Sequence, residues 1–216
     1  MNIRIVAGGP EEGLPDLKAI AAMEDRQLWC GADRGALVLA ERGIEMEAAF
    51  GDFDSVTEEE MDTIRQFAKE VYPYPAEKDE SDLELAVEWA YGLNPDKITI
   101  YGATGGRMDH AMANMMLLAS EEHLKQPVKT ELVDNQNEIS FYEPGVYMIH
   151  EQEKRYVSFL PISKEISGMT LTGFLYPLTN DTLIRGRTRS ISNQLNSPTG
   201  TFSFTSGILM MIRSTD

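Results

Sequence analysis

The sequence predicts an α/β N-terminal domain with an open, mainly parallel sheet, followed by an all-β sandwich C-terminal domain. Three observations carry this. Short apolar runs alternate with helical patterns over residues 1–126. From about Pro127 helical periodicity fades, and short β-branched and aromatic runs recur between turn residues over 127–216. Acid-bearing or glycine-rich segments follow four of the early strand candidates, where open α/β sheets bind their ligands.

The elements follow in order. Ile3–Ala7 is a short apolar run ending in Gly8-Gly9-Pro10, and Leu28–Ala32 is a second. Leu37–Arg42 continues as helix and Gly43 stops it; Met46–Phe50 is the next strand. Thr57 precedes Glu58, Glu59 and Glu60, an N-cap with acids in the first turn, and the spacing predicts a helix to about Glu70. Val71–Pro75 is extended. Ser81 caps a further helix with Leu85, Ala86 and Trp89 along one face. Lys97–Tyr101 is a strand, and Asp109–Glu121 a Met- and Ala-rich helix. The strands expected beyond Pro127 are Leu132–Asn135, Ile139–Tyr142, Val146–Ile149, Tyr156–Leu160, Met169–Phe174, Leu183–Ser192 and Phe202–Ile212.

Hydrophobic residues make up 42% of the 216 and charged residues 25%, the balance of a soluble globular protein. The apolar runs are too short to span a bilayer, and the N-terminus lacks a secretory pattern. The single cysteine, Cys30, leaves no disulfide within the chain, so a cytoplasmic location is the default expectation. The formal net charge of -16 argues against nucleic acid as a partner, because phosphate backbones need basic surfaces. Residues 1–125 hold 26 acids against 11 basic residues, and the remainder 9 against 8. A polyphosphate site in the acidic part needs metal cations to offset repulsion.

Four segments carry the chemistry. Asp33 and Arg34 follow the second strand, between Gly31 and Gly35. Asp52 and Asp54 lie two apart after the third, so both side chains can face the same way, and hard magnesium takes carboxylate and phosphate oxygens together. Turn chemistry and helix capping explain such a pair equally well. Lys78, Asp79 and Asp82 open the helix capped by Ser81; first-turn acids also suit the helix dipole, and Lys78 is a loop charge or a phosphate ligand. Between a strand and a helix stand Gly102, Thr104, Gly105, Gly106, Arg107, Asp109 and His110, a turn that lets backbone amides approach phosphate. It matches neither the Walker loop nor the Gly-x-Gly-x-x-Gly spacing.

Taken together, in this order and spacing, the four segments resemble the thiamine pyrophosphokinase family. Thr188–Asn193 and Ser206-Gly207 resemble the end of that family's C-terminal domain, with Gln194 where bacterial members often carry Glu. The resemblance implies transfer of a diphosphate from ATP to the thiamine hydroxyl, giving thiamine diphosphate and AMP. It implies a homodimer whose thiamine sites are shared between chains. It implies that Asp52, Asp54 and Asp82 hold magnesium and the diphosphate, with Asp33 beside them. Lys78, Asp79, Thr104, Gly105, Gly106, Arg107 and Asp109 fall on the nucleotide side, and Ser192, Asn193 and Ser206 on the thiamine side.

Two other functions remain open to the same residues. Aspartates and glycine loops also serve magnesium-dependent phosphohydrolases and other nucleotide-using transferases. A non-catalytic nucleotide-sensing module is the alternative of a different kind. Met108, Met112, Met115 and Met116 are expected in a packed core. Arg185, Arg187 and Arg189 alternate and are expected on one face of a strand. Trp29 and Trp89 suit core or interface.

Overall fold

β1 (Asn2–Val6) runs between β2 (Gln27–Ala32) and β5 (Lys97–Tyr101), parallel to both. Beyond β2 come β3 (Met46–Gly51) and β4 (Ala68–Pro73), and beyond β5 comes β6 (Lys129–Val133), every pairing parallel. The order is therefore β4-β3-β2-β1-β5-β6. The chain reverses its direction of travel across the sheet between β1 and β5, which opens a crevice at the carboxyl ends of those two strands. The computed structural model describes residues 1–23, 26–75 and 77–216. This first unit comprises Met1–Leu117 and Gln126–Asn135, and the second Leu118–Lys125 and Gln136–Asp216. The boundary expected after residue 126 does not coincide with this grouping, because β6 completes the parallel sheet.

Helix α1 (Leu17–Met23) precedes β2, and α2 (Arg34–Glu41) packs on β1, β2 and β3 with Gly35–Ala40 all buried. Its core includes Val6, Trp29, Leu37, Leu39 and Met46. Gly35 is required there: a Cβ on it would stand 1.9 Å from the Val6 carbonyl oxygen. Cys30 on β2 is fully buried, and burial pushes its thiol far up from the ordinary range. Helix α3 (Glu58–Phe67) opens on a capping box, in which Thr57 accepts from the Glu60 N–H and Glu60 accepts from the Thr57 N–H. It ends at Phe67, not near Glu70, because Ala68 to Glu70 pair with β3 as part of β4. Ser81 and Glu84 form the same box at α4 (Asp82–Gly92). The core face of α4 is Leu83, Ala86, Val87 and Ala90; Leu85 and Trp89 are half-buried, with Trp89 against Phe50.

The expected helix 109–121 is two pieces, α5 (Met108–Leu118) and α6 (Glu121–Leu124), divided by Ser120, whose hydroxyl caps the second. Met108, Met112 and Met116 are exposed at 69%, 45% and 46%, a stripe along one side of α5 rather than core. Among the described residues no helix is long and apolar enough to cross a membrane.

The second unit is the expected sandwich. β7 (Asn137–Tyr142), β13 (Leu209–Ser214) and β9 (Tyr156–Pro161) pair antiparallel. So do β11 (Leu178–Ile184), β10 (Glu165–Thr172), β12 (Thr199–Phe204) and β8 (Gly145–His150). One core joins both sheets around Phe159, Phe174 and Phe202, with burial alternating along β9 and β12. The strand expected over 183–192 ends at Ile184, where the chain turns and the Arg187 N–H returns to the Ile184 carbonyl. Arg185, Arg187 and Arg189 therefore share no strand face: Arg185 donates to the Ile162 carbonyl and Arg189 pairs with Asp181 at 2.6 Å. The run 202–212 is two strands, β12 and β13, bent at Ser206-Gly207.

Candidate active site

Because the six strands are parallel, every segment that follows one of them emerges at the same edge. Asp33 follows β2 directly, with φ 56 and ψ -132. That backbone is costly for any residue with a side chain, by about 1–3 kcal/mol, and is tolerated where surroundings hold it. Its N–H donates to the Phe50 carbonyl at 2.7 Å, which locks the turn to β3. After β3, Phe53 takes φ 55 and buries its ring in the core. The anchored ring leaves Asp52 half-buried and Asp54 exposed on either side of it. The Asp54 N–H donates to Asp52 Oδ1 at 3.0 Å, so Asp52 also shapes the turn, as its sequence context suggested.

Asp82 is the first residue of α4 and pairs with Lys78 Nζ at 2.7 Å. The ammonium also sits 5.6 Å from the centre of the Tyr74 ring. Burial pushes the Asp33 carboxyl up from its ordinary value; Asp82, Asp52 and Asp54 add to the rise, and the Arg34 backbone N–H opposes it. Asp33 Oδ1 is buried with no hydrogen-bond partner. Asp82, Asp52 and Asp54 thus lie near enough to Asp33 to act on its charge, and among the described residues no three acids stand close enough to share a metal ion. Asp79 stays exposed in the loop before α4 and is not among the acids that act on Asp33.

On the other side of β1 lies the glycine-rich turn. The Gly9 N–H donates to the Gly102 carbonyl at 2.8 Å, and a Cβ on Gly9 would meet that oxygen at 2.2 Å. Gly102, Gly105 and Gly106 all take positive φ, and Pro10 packs on the last two. Gly105, Gly106 and Arg107 are exposed. Arg107 clasps Asp109 with two bonds, at 3.2 and 2.7 Å, and this holds the Asp109 carboxyl down at about 2. Thr104 Oγ1 donates to Asp134 Oδ2 at 2.7 Å. Asn135 donates its side-chain amide to the Glu12 carbonyl and its N–H to the Gly13 carbonyl, 2.9 Å each. Asp134 and Asn135 were legible only as a strand end; their place beside the turn requires knowing that β6 lies next to β5.

In the second unit Ser192 takes φ 54, and its N–H donates to Ser158 Oγ at 2.9 Å. Asn193 is buried, with Oδ1 accepting from the Tyr176 and Gln194 N–H groups and Nδ2 donating to the Tyr176 carbonyl. Its amide therefore clamps the 174–176 segment. Gln194 Oε1 accepts from Arg155 Nε at 2.9 Å. Ser206 is exposed in the separate bend between β12 and β13.

An α/β unit with acids and a glycine-rich turn at the carboxyl ends of its strands, followed by a β sandwich, is the architecture of a protein that handles phosphate-bearing ligands. Residues 20–130 match the family model for the Thiamin pyrophosphokinase catalytic domain, and residues 146–209 that for its vitamin B1 binding domain. The chain belongs to the thiamin pyrophosphokinase family. It is 48% identical to the thiamine pyrophosphokinase of Bacillus subtilis (strain 168) over all of this chain and 99% of that one. A crystal structure of the Bacillus subtilis protein has a TM-score of 0.91 at 47% identity, covering both chains fully. That from Geobacillus thermodenitrificans has 0.88 at 45%, covering all of this chain and 98% of that one. Thiamin pyrophosphokinase from Candida albicans, 16% identical, shares the fold with a TM-score of 0.82 over 99% of this chain and 89% of its own.

Proposed function

We propose that the protein transfers the diphosphate of ATP to the hydroxyl of thiamine in the cytoplasm, giving thiamine diphosphate and AMP. The observation that carries this is the proximity of Asp52, Asp54 and Asp82 to Asp33 within a chain of this family. Carboxylate oxygens are the donors that magnesium takes, and the buried Asp33 oxygen without a partner supports a cation beside it once the carboxylates draw together. Asp52, Asp54 and Asp82 would hold it, with Asp33 beside them. Bound magnesium supplies charge neutralisation on the phosphate oxygens.

The chain's own residues do the rest. Lys78 compensates Asp82 and offers an ammonium to a phosphate oxygen. The amides of Gly105 and Gly106 and the Arg107 guanidinium face the nucleotide, with Asp109 setting the orientation of Arg107. Ser192, Asn193 and Ser206 serve the thiamine side, Asn193 by holding the segment at Tyr176 in place. The thiamine hydroxyl oxygen bonds to the β-phosphorus, the bond from that phosphorus to the oxygen bridging it to the α-phosphorus breaks, AMP leaves with that oxygen, and the hydroxyl proton passes to solvent. Holding the two oxygens in line is the main catalytic demand. The net charge of -16 favours approach of the thiamine cation.

The working form is a homodimer with sites drawing on both chains. Exposed apolar side chains on each unit support this: Met108, Met112 and Met116 on the first, and Val146, Met148 and Tyr176 on the second. Chromatography of the nucleotide products tests the reaction in a preparation free of adenylate kinase. AMP should form one-for-one with thiamine diphosphate and only when thiamine is present. ADP with thiamine monophosphate, or ATP loss without thiamine, would overturn it.

A further inference from the structure

We infer that Asp134 fixes Thr104 as a hydrogen-bond acceptor, so that Thr104 reads a neutral donor on the nucleoside and not a phosphate oxygen. The inference rests on the nucleotide reading of the site above. A threonine hydroxyl has one proton and two lone pairs, and a carboxylate only accepts. The 2.7 Å contact with Asp134 Oδ2 consumes that proton. Thr104 is half-buried, and a further partner of its hydroxyl oxygen meets only lone pairs. A phosphate oxygen offers the same, with a negative charge that Asp134 repels. An O–H or N–H group is complementary, and ATP carries such donors only on its ribose hydroxyls and its purine amino group.

Topology gives this a direction. The four aspartates follow β2 and β3 and open α4 after β4, on one side of β1. Thr104 and Asp134 follow β5 and β6, on the other side. The polyphosphate then extends toward β2 and β3, where the carboxylates that would hold cations lie, and the nucleoside lies over β5 and β6. Asp134 is a positioning residue in this scheme. Asn135 beside it ties the β1 loop through Glu12 and Gly13, so the end of β6 braces both walls of the crevice.

The test measures nucleotide affinity by calorimetry with magnesium, for ATP, 2′-deoxy-ATP, 3′-deoxy-ATP and purine riboside triphosphate. Thr104→Val should weaken ATP by about 3- to 10-fold, the scale of one neutral hydrogen bond. Thr104→Ser, which keeps the hydroxyl, should stay within about 2-fold. Asp134→Ala should weaken ATP in the same range as Thr104→Val, and thermal melts of each variant check that it is folded. The penalty should vanish for the one analogue that lacks the donor being read, which also says whether that donor is on the sugar or the base. An equal penalty on all four nucleotides, or none on ATP, would overturn the inference. ATP that binds the wild type without forming AMP would sink the diphosphotransfer reading alone, since affinity does not depend on turnover.

Discussion

Lys78 Nζ stands 2.7 Å from Asp82 Oδ1, with 13% and 19% of the two side chains exposed. This ion pair makes Asp82 unlike Asp54, which is exposed at the tip of its loop. Asp54→Asn should leave stability within about 0.5 kcal/mol and remove most turnover, because an amide is a neutral, poorer ligand for magnesium. Asp82→Asn should also remove turnover but cost about 1–3 kcal/mol, because Lys78 loses its carboxylate in a shielded place. Urea melts beside a turnover assay check both. Full activity of a folded Asp54→Asn protein at saturating magnesium would count against its role.

Asp33 should couple stability to pH. Its carboxyl is raised in the folded chain, first by burial and then by Asp82, Asp52 and Asp54, so the folded state holds the proton more tightly than the unfolded. Its stabilising contribution is complete below the ordinary carboxylate range and is lost as pH climbs through the raised value. Metal-free protein should therefore melt higher as Asp33→Asn than as wild type at ~pH 7. The gap should close at ~pH 4 or on adding magnesium. Scanning calorimetry of both proteins decides it; identical melting temperatures across that range would remove Asp33 from the site.

Shared sites predict rescue in mixtures. Asp54→Asn damages the cation side in the first unit, and Ser206→Trp blocks a bend in the second. Each homodimer should be inactive, and a mixed dimer with one intact site of two should recover up to about half of wild-type activity, about a quarter over a 1:1 mixture. Mass measurement must show chain exchange. No recovery after proven exchange would place the whole site within one chain.

Gly35→Ala should damage the α/β unit. The new methyl would stand 1.9 Å from the Val6 carbonyl oxygen, a backbone atom that cannot swing aside. Helix α2 must lift from β1, at about 1–3 kcal/mol or more. The loss should appear in a far-ultraviolet melt, and an unchanged melting temperature would mean that α2 shifts freely on the sheet.

Much of this was legible in the order of residues. The strand–helix alternation gave five of the six parallel strands, although β4, with Lys69 and Glu70 exposed, was legible only from Val71 onward. Thr57 and Ser81 marked helix starts through chemistry local to four residues. What stayed hidden depended on neighbours distant in sequence. Glu70 has helical propensity but pairs with Ala48 on β3. Met112 has a core residue's polarity but lies on the outward side of α5. At the site, the Asp-x-Asp pair announced itself, whereas Asp134 did not, because its partner Thr104 is thirty residues back.

Cys30 lies at the centre of β2 with none of its surface exposed, and it is the chain's one cysteine. A maleimide or disulfide reagent can reach it only when the α/β unit opens. Labelling rate against denaturant therefore isolates the opening of that half of the molecule while the β sandwich, which has no thiol, stays silent. Comparing this with far-ultraviolet dichroism, to which the strands of both units contribute, would show whether the two halves unfold in one transition or two.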